Sequence, residues 1–292
     1  MTLDFRAFAQ SIDLSKYPRT PHLEGSRLQE GDEGHDHIPY RALAGCHIVV
    51  EEKLDGANCG ISFSEGGELL LQSRGHYLVG GGRERQFNIL KAWARAHENW
   101  LMERLEDRYV MYGECMTKKH SVWYDFLPHH FCEFDVLDRK QGTYLSTAAR
   151  AELLADGPVL SVPVLYADIA PKKLTDLLWH LRPSLAKTRH WKRHFENTVK
   201  REQLDVKEAW KHCDESNYAE GLYIKVEQDD ETVGRYKWVR ADFVQAIIAS
   251  DKHHSEQPFV PNLLAPGVDI YASQLTHNWQ SLKALKEQLY GK

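Results

Sequence analysis

The sequence predicts an α+β fold of antiparallel sheets with flanking helices, a helical insertion and a short helical C-terminal region. Three observations predict it. Short apolar segments recur between residues 47 and 239, each bounded by turn formers, the mark of paired strands. Helical periods are confined to a few stretches, chiefly 86–105, 171–215 and the tail. Of the 292 residues, 42% are hydrophobic and 27% charged, enough for a sizeable core and too apolar for disorder.

Taken in order, residues 1 to about 40 read as irregular. Tyr17–Arg27 is rich in proline and glycine, and the acidic run Glu30–Asp36 reads as a solvated loop. His35 and His37 are too isolated to argue for a metal. His47–Val50 and Cys59–Phe63 are apolar runs flanking Glu51-Glu52-Lys53-Leu54-Asp55-Gly56-Ala57-Asn58. Asp-Gly between two such runs predicts a hairpin turn, because type I′ turns need positive φ at both central positions. Leu69–Arg74 is a further strand. Gly80–Gly82 lacks the Lys-Ser/Thr of a phosphate loop and reads as a plain loop. Leu90, Trp93, Ala94, Leu101 and Leu105 set a helical period, and Ser146 or Thr147 caps a helix running to Leu154. Tyr109–Glu114, Phe131–Leu137, Leu160–Tyr166, Ala219–Val226 and Thr232–Val239 are expected strands. The tail should be mainly helical, with Leu275, Leu282, Leu285 and Leu289 on one stripe.

The formal net charge of −5 argues against indiscriminate coating of nucleic acid, although a local basic groove is compatible with it. One such run is Lys187–His194, continued by Lys200-Arg201; it is either a solvated helix face or a phosphate-contact surface with Trp191 available for stacking. The five cysteines form no CxxC pair, so neither a disulfide framework nor a zinc site is expected, and a reducing cytoplasmic setting fits. Met1–Phe5 does not begin a basic n-region followed by an apolar run, and no segment is apolar for long enough to span a bilayer.

Polar residues at strand ends carry the chemistry. Lys53 and Asp55 are followed by Arg74, Glu114, Phe134-Asp135, Glu220, Lys225 and Lys237. Each alone is an ordinary surface residue. Together they form the set that nucleotidyl transfer needs: a lysine that attacks a phosphate, carboxylates for a hard divalent cation, further lysines for the phosphates and an aromatic face for a purine. An attacking lysine must be neutral, and nearby cations favour that form.

At this point the sequence resembles the ATP-dependent RNA ligases, in the covalent lysine nucleotidyltransferase superfamily that also holds DNA ligases and capping enzymes. Lys-x-Asp-Gly-x-Asn is matched by Lys53, Asp55, Gly56 and Asn58; further motifs are similar to Ser73-Arg74-Gly75, Tyr112-Gly113-Glu114, Phe131–Asp135, Glu220–Lys225 and Arg235–Val239. They run in the family's order over roughly residues 45–242.

The resemblance implies a nucleotidyltransferase (adenylation) domain over 1–242, including an N-terminal arm 1–44 and a helical insertion 171–215, and a small helical region over 243–292. It implies ATP as cosubstrate with Mg²⁺ or Mn²⁺. Lys53 would be the nucleophile, forming a lysyl-AMP, and Asp55, Glu114, Glu220 and Lys237 would be catalytic. Nucleotide contacts would come from Glu52, Lys53, Asn58, Arg74, Glu114, Phe134 (stacked on adenine), Glu220, Lys225 and Lys237. The metal would fall to Glu114, Asp135 and Glu220. RNA would be bound by Lys187, Arg189, Lys192 and Arg193.

The implied substrate is RNA with 5′-phosphate and 3′-hydroxyl ends, handled by a monomer, with an end-healing kinase or phosphatase as a compatible partner. RNA rather than DNA is favoured by Asn58, where DNA ligases and capping enzymes carry arginine, and by a tail too short and helical for an OB-fold. The final motif departs from Lys-x-Lys by having Arg235, whose individual role is therefore open. In the N-terminal arm, Arg19, His22 or Arg27 would line the approach to the site, or the arm simply packs. DNA nick sealing and a noncatalytic nucleic-acid-binding module on the same fold remain as alternatives.

Overall fold

The computed structural model describes residues 12–28, 37–243 and 258–291. The acidic run 30–36, with His35, lies outside the described residues.

Ten strands carry the fold: β1 (His47–Lys53), β2 (Ala57–Phe63), β3 (Leu69–Ser73), β4 (Tyr109–Cys115), β5 (Phe131–Asp138), β6 (Thr143–Leu145), β7 (Leu160–Ser161), β8 (Val164–Ile169), β9 (Gly221–Gln228) and β10 (Glu231–Val239). Their order is β3-β2-β4-β5-β6-β10-β9-β1-β8, antiparallel throughout, with β7 added in parallel to β5. The short β6 joins two halves, β3-β2-β4-β5 and β10-β9-β1-β8.

The α+β fold of antiparallel sheets and helices is therefore as expected, but the turn at Asp55-Gly56 is not a hairpin. β1 pairs with β8 and β9, whereas β2 pairs with β3 and β4. Leu54–Gly56 carries the chain from one half of the sheet to the other. Neither Asp55 nor Gly56 has positive φ. Gly56 is needed for closeness: a Cβ there would lie 2.8 Å from the Cys115 carbonyl oxygen.

The period of two sorts the side chains of the β10-β9-β1-β8 half. Ile48, Val50, Leu222, Ile224, Tyr236 and Trp238 form an apolar cluster with Leu174, Leu177, Leu178 and Leu181. The alternate residues, Glu51, Lys53, Tyr223, Lys225, Arg235 and Lys237, fall on the other face. Gly221, in the Glu-Gly element, lets β10 approach; a Cβ there would sit 1.9 Å from the Trp238 carbonyl oxygen.

Seven helices stand among the described residues: α1 (Asn88–Ala96), α2 (Glu98–Leu105), α3 (Thr147–Leu153), α4 (Leu174–Leu178), α5 (Trp191–Arg201), α6 (Val206–Lys211) and α7 (Trp279–Tyr290). α1 and α2 place Leu90, Trp93, Ala94, Leu101 and Leu105 in the core, as their period predicts. The Ser146 side chain caps α3 by accepting from the Ala149 N–H. None of the described helices is long and apolar enough to cross a membrane.

Two further expectations change. The strand predicted over 160–166 is two strands, because Pro163 has no N–H to continue a ladder. The chain leaves β5 at Ser161 and joins β1 from Val164. Among the described residues the tail is helical only in α7; residues 258–278 run without a helix. Leu282 is buried, but Leu289 is exposed and does not share its stripe's burial.

The irregular part of the tail has a clear structural partner, the buried segment 116–130. Lys119 N donates to the Val260 oxygen (2.8 Å), Leu127 N to the Leu263 oxygen (3.0 Å) and Leu263 N to the Tyr124 oxygen (2.9 Å). Asn262 accepts from Tyr124 N (3.0 Å) and donates to the Met116 oxygen (2.8 Å). These bonds answer where a buried, non-repetitive backbone places its hydrogen bonds.

Candidate active site

A cavity of about 860 Å³ opens between the two halves of the sheet. One half contributes Lys53, Glu220, Tyr223 and Lys237; the other contributes Asn58, Arg74, Glu114 and Phe134. Sequence positions up to 220 residues apart (17 to 237) thus meet at one site.

Lys53 closes β1, and its Nζ lies 2.6 Å from Glu220 Oε2. Glu114 lies on β4 directly opposite Asn58 and immediately after a register shift at Tyr112/Gly113. Its Oε2 is buried and has no hydrogen-bond partner. Burial pushes the Glu114 carboxyl up to about 8, and the charges of Asp55 and Glu220 add to that against the pull of Lys53 and Arg74. Burial alone would push the Lys53 ammonium down, but Glu220, Glu114 and Asp55 outweigh it and hold it above its ordinary value. The Asp55 carboxyl is likewise raised, by burial and then by Glu220.

Asp55 also has a structural job. Its Oδ2 accepts from the backbone N–H groups of Ser121 (2.7 Å) and Val122 (2.6 Å), while its own N–H donates to the Tyr124 hydroxyl (2.8 Å). It ties the turn after Lys53 to the 116–130 segment. Glu52 borders the cavity, but its carboxylate accepts from Ser184 Oγ (2.5 Å) and Leu185 N (3.2 Å), anchoring the helical stretch that begins after β8.

Two predicted site residues lie elsewhere. Lys225 is 0% exposed and does not line the cavity. Its Nζ sits 3.0 Å from Glu51 and 3.1 Å from Asp135 and also bonds the Phe134 carbonyl. Of the predicted lysines, the cavity therefore holds Lys53 and Lys237. Asp135 is buried with Lys225, 3.7 Å from Arg235, and accepts from the Tyr17 hydroxyl. Although burial opposes ionisation, the Lys225, Arg150 and Arg235 charges hold its carboxyl below the ordinary value. It is bound to cations and separated from Glu114 and Glu220. No three His, Cys, Asp or Glu among the described residues are grouped to hold a metal ion.

The structure also assigns Arg235. Its guanidinium stacks 3.6 Å from the centre of the Tyr144 ring and 5.3 Å from that of Tyr17, where arginine's planar group suits an aromatic face.

In the predicted RNA surface, Arg189, Lys192 and Arg193 are exposed, with Lys192 Nζ 3.3 Å from Glu215. Lys187 is buried, donating to the Ser216 oxygen (2.8 Å) and lying 4.0 Å from the centre of the Trp191 ring. Trp191 is 1% exposed and packs with Trp123, Phe195 and Val199, so it is core and unavailable for stacking.

Sequence reasoning missed Tyr17 and Thr20. The arm packs beside β10 through Leu23 N to the Lys237 oxygen and Lys237 N to the Pro21 oxygen, both 2.9 Å. That places Tyr17 and Thr20 in the cavity wall. The Tyr17 and Tyr223 hydroxyls are 2.5 Å apart, and the Tyr17 ring meets Phe134 edge-on at 5.1 Å. His22 is buried against Ser26, and Arg27 bonds the Ala241 and Phe243 carbonyls; neither borders the cavity. No local signal singles out Tyr17, because its partners lie more than a hundred residues away. Gln86 and His120 carry no local signal either, and their contact with each other forms only in the fold.

A lysine among carboxylates thus sits in a cleft between antiparallel sheet halves with an aromatic wall. The family model for RNA ligase matches residues 47–239, well over half of the sequence. The chain belongs to the RNA ligase family. Among solved structures, Naegleria gruberi RNA ligase with PPi is 18% identical, with a TM-score of 0.50 over 77% of this chain and 56% of that one. A variant of that ligase with ATP and Mn is 17% identical, with a TM-score of 0.49 over 78% and 56%. The likeness is one of fold, and this chain spans little more than half the length of those ligases. No curated protein matches the sequence.

Proposed function

We propose that the protein is an ATP-dependent RNA ligase that joins 5′-phosphate and 3′-hydroxyl ends through a lysyl-AMP. The observation that carries this reading is Lys53 Nζ, 2.6 Å from Glu220 in a cavity that also presents Glu114, Phe134 and Lys237. In the first step Nζ bonds to the α-phosphorus of ATP, the α–β anhydride breaks and pyrophosphate leaves. The AMP then passes from Nζ to the 5′-phosphate of RNA. Finally a 3′-hydroxyl attacks that phosphate and AMP departs. Phe134 supplies a face for adenine, and Lys237 neutralises phosphate charge.

At rest the carboxylates stabilise the Lys53 ammonium, the wrong form for attack. The partnerless buried oxygen of Glu114, beside Glu220, fits a hard divalent cation that takes its remaining ligands from phosphates and water. Mg²⁺ or Mn²⁺ would there neutralise the triphosphate and favour the free amine. Asp135 has no part in that set. Arg189, Lys192 and Arg193 offer exposed cations for the RNA backbone. The domain scheme that goes with this reading is an adenylation domain to residue 242, whose loop 116–130 is braced by the tail.

The test is transfer of label from α-phosphate-labelled ATP to protein freed of bound AMP, with either divalent metal and no RNA. Wild type should carry a covalent label that survives denaturation, and Lys53→Ala should carry none. Unlabelled wild type under both metals would overturn the reading.

A further inference from the structure

The residues that flank Lys53 are held by a part of the chain outside the family match of 47–239. Leu54–Gly56 runs between the two halves of the sheet, so no strand ladder fixes it. The Asp55 N–H donates instead to the Tyr124 hydroxyl (2.8 Å), and the Asp55 carboxylate accepts from Ser121 and Val122. Lys53 is the last residue of β1, so the turn and the strand together place its side chain.

Tyr124 is fully buried in a stretch that is neither helix nor strand, and the tail supplies its backbone partners. Its N–H donates to Asn262 Oδ1 (3.0 Å), and its carbonyl accepts from Leu263 N (2.9 Å). Asn262 Nδ2 donates to the Met116 oxygen (2.8 Å) and its N–H to the Thr117 oxygen (3.2 Å). Trp123 Nε1 donates to the Pro261 oxygen (2.8 Å). One buried carboxamide thus joins both ends of the stretch 116–124.

The same tail reaches the residue before Lys53. Glu52 accepts from Ser184 Oγ (2.5 Å) and Leu185 N (3.2 Å). Lys286 of α7 donates from Nζ to the carbonyls of Leu185 (2.5 Å) and Lys187 (2.8 Å). Burial pushes the Glu52 carboxyl up, and the bonds from Ser184 and Leu185 and the Lys286 charge oppose it. α7 is seated through Leu282 in a cluster with Phe126 and Ala265, so it also rests on the segment that carries Tyr124.

We propose that the tail 258–291 is a positioning element for Lys53, with Asn262 acting through Tyr124 and Asp55, and Lys286 acting through Leu185 and Glu52. The inference rests on the ligase reading and extends it to residues outside the matched region. Asn262, Tyr124 and Lys286 do not line the cavity, so their loss falls on the rate of attack and not on ATP binding. Displacing an attacking group by about 1 Å can cost about a hundredfold in rate.

The experiment uses the full chain with Tyr124→Phe, Asn262→Ala, Lys286→Met and Lys286→Arg, each assayed well below its melting temperature. Label transfer from ATP is followed against ATP concentration, and hydrogen exchange is read on a peptide covering residues 53–57. Tyr124→Phe and Asn262→Ala should lower the labelling rate at saturating ATP about tenfold or more, with the half-saturating ATP concentration within twofold of wild type. Lys286→Met should fall in the same way, and Lys286→Arg, which keeps the donors, should recover most of the rate. Exchange over 53–57 should speed up in Asn262→Ala and Lys286→Met, although neither substitution touches those residues.

Slower labelling at an unchanged ATP requirement, together with faster exchange in the turn, supports the proposal. Labelling within twofold of wild type, a loss expressed as a higher ATP requirement, or unchanged exchange overturns it and leaves the tail as packing alone. Should Asn262→Ala not fold, Tyr124→Phe and the two Lys286 variants carry the comparison. A wild type that never labels overturns the ligase reading by itself; the exchange comparison then decides alone whether the tail holds the turn.

Discussion

Two clusters of buried charge lie a few residues apart on the same strands, and they are built on opposite rules. Beneath the cavity, Glu51, Glu133 and Asp135 meet Arg150, Lys225 and Arg235, three carboxylates to three cations. Arg150 spans Glu133 (2.7 Å) and Glu51 (2.8 Å), and Lys225 spans Glu51 (3.0 Å) and Asp135 (3.1 Å). In the cavity, Asp55, Glu114 and Glu220 surround Lys53. Balanced charge makes a scaffold. Unbalanced charge at the same depth makes a site that wants a cation and a phosphate, and its cost is carried by the neighbouring scaffold.

Breaking the scaffold should have the largest effect. Arg150→Ala leaves the buried Glu133 without a cation and Glu51 with Lys225 alone, and should cost about 3–5 kcal/mol, read by denaturant unfolding. Replacing Arg150 and Glu133 together with neutral residues should cost much less, because the cluster stays balanced with Glu51 and Asp135 against Lys225 and Arg235. If the single and double variants were equally destabilised, the balanced-charge account would fail.

Glu114→Gln inverts the comparison. Labelling should fall by about a hundredfold or more, while the protein melts higher by a few degrees near pH 8. The sign follows from burial, which raises the folded carboxyl to about 8, above its unfolded value. The folded state then holds the extra proton. This group's stabilisation is full below the unfolded value and is lost as pH rises through about 8. Melting curves across pH 5–9 should therefore be flatter for Glu114→Gln than for wild type, and parallel curves would argue against a raised Glu114.

Asp55→Asn separates the structural from the electrostatic share of one residue. It weakens the acceptor for Ser121 and Val122 and should cost about 1–3 kcal/mol in unfolding. If stability were unaffected while labelling fell, Asp55 would belong to the chemistry alone. The smallest effect belongs to the surface. Neutralising Arg189, Lys192 and Arg193 should lower the slope of log K against log salt for RNA by about 2, with labelling intact.

The strands and the order of the motifs were readable because each is local. Alternation along β1, β9 and β10 is a property of a few consecutive residues, and so is the Ser146 cap. The same locality misled where the partner was distant. Asp55-Gly56 has the composition of a hairpin turn, yet β1 and β2 pair with strands from other parts of the chain. Lys225 and Asp135 carry the right charge types for phosphate and metal, and only their contacts with each other show that both are spent in the scaffold. Trp191 and Lys187 read as a nucleic-acid surface until packing with Trp123 and Phe195 turns that edge of α5 inward.

The sequence by itself determined the fold class and marked Lys53, Glu114, Glu220, Phe134 and Lys237 as a set, because residue type, period and order along the chain are enough to single them out. Tertiary structure decided which charges face the cavity and which neutralise one another below it. It also brought Tyr17, Gln86 and His120 into the wall. The physical reason is that burial and pairing fix what a charged side chain can do, and both are set by neighbours distant in the chain, as Glu51 is from Lys225.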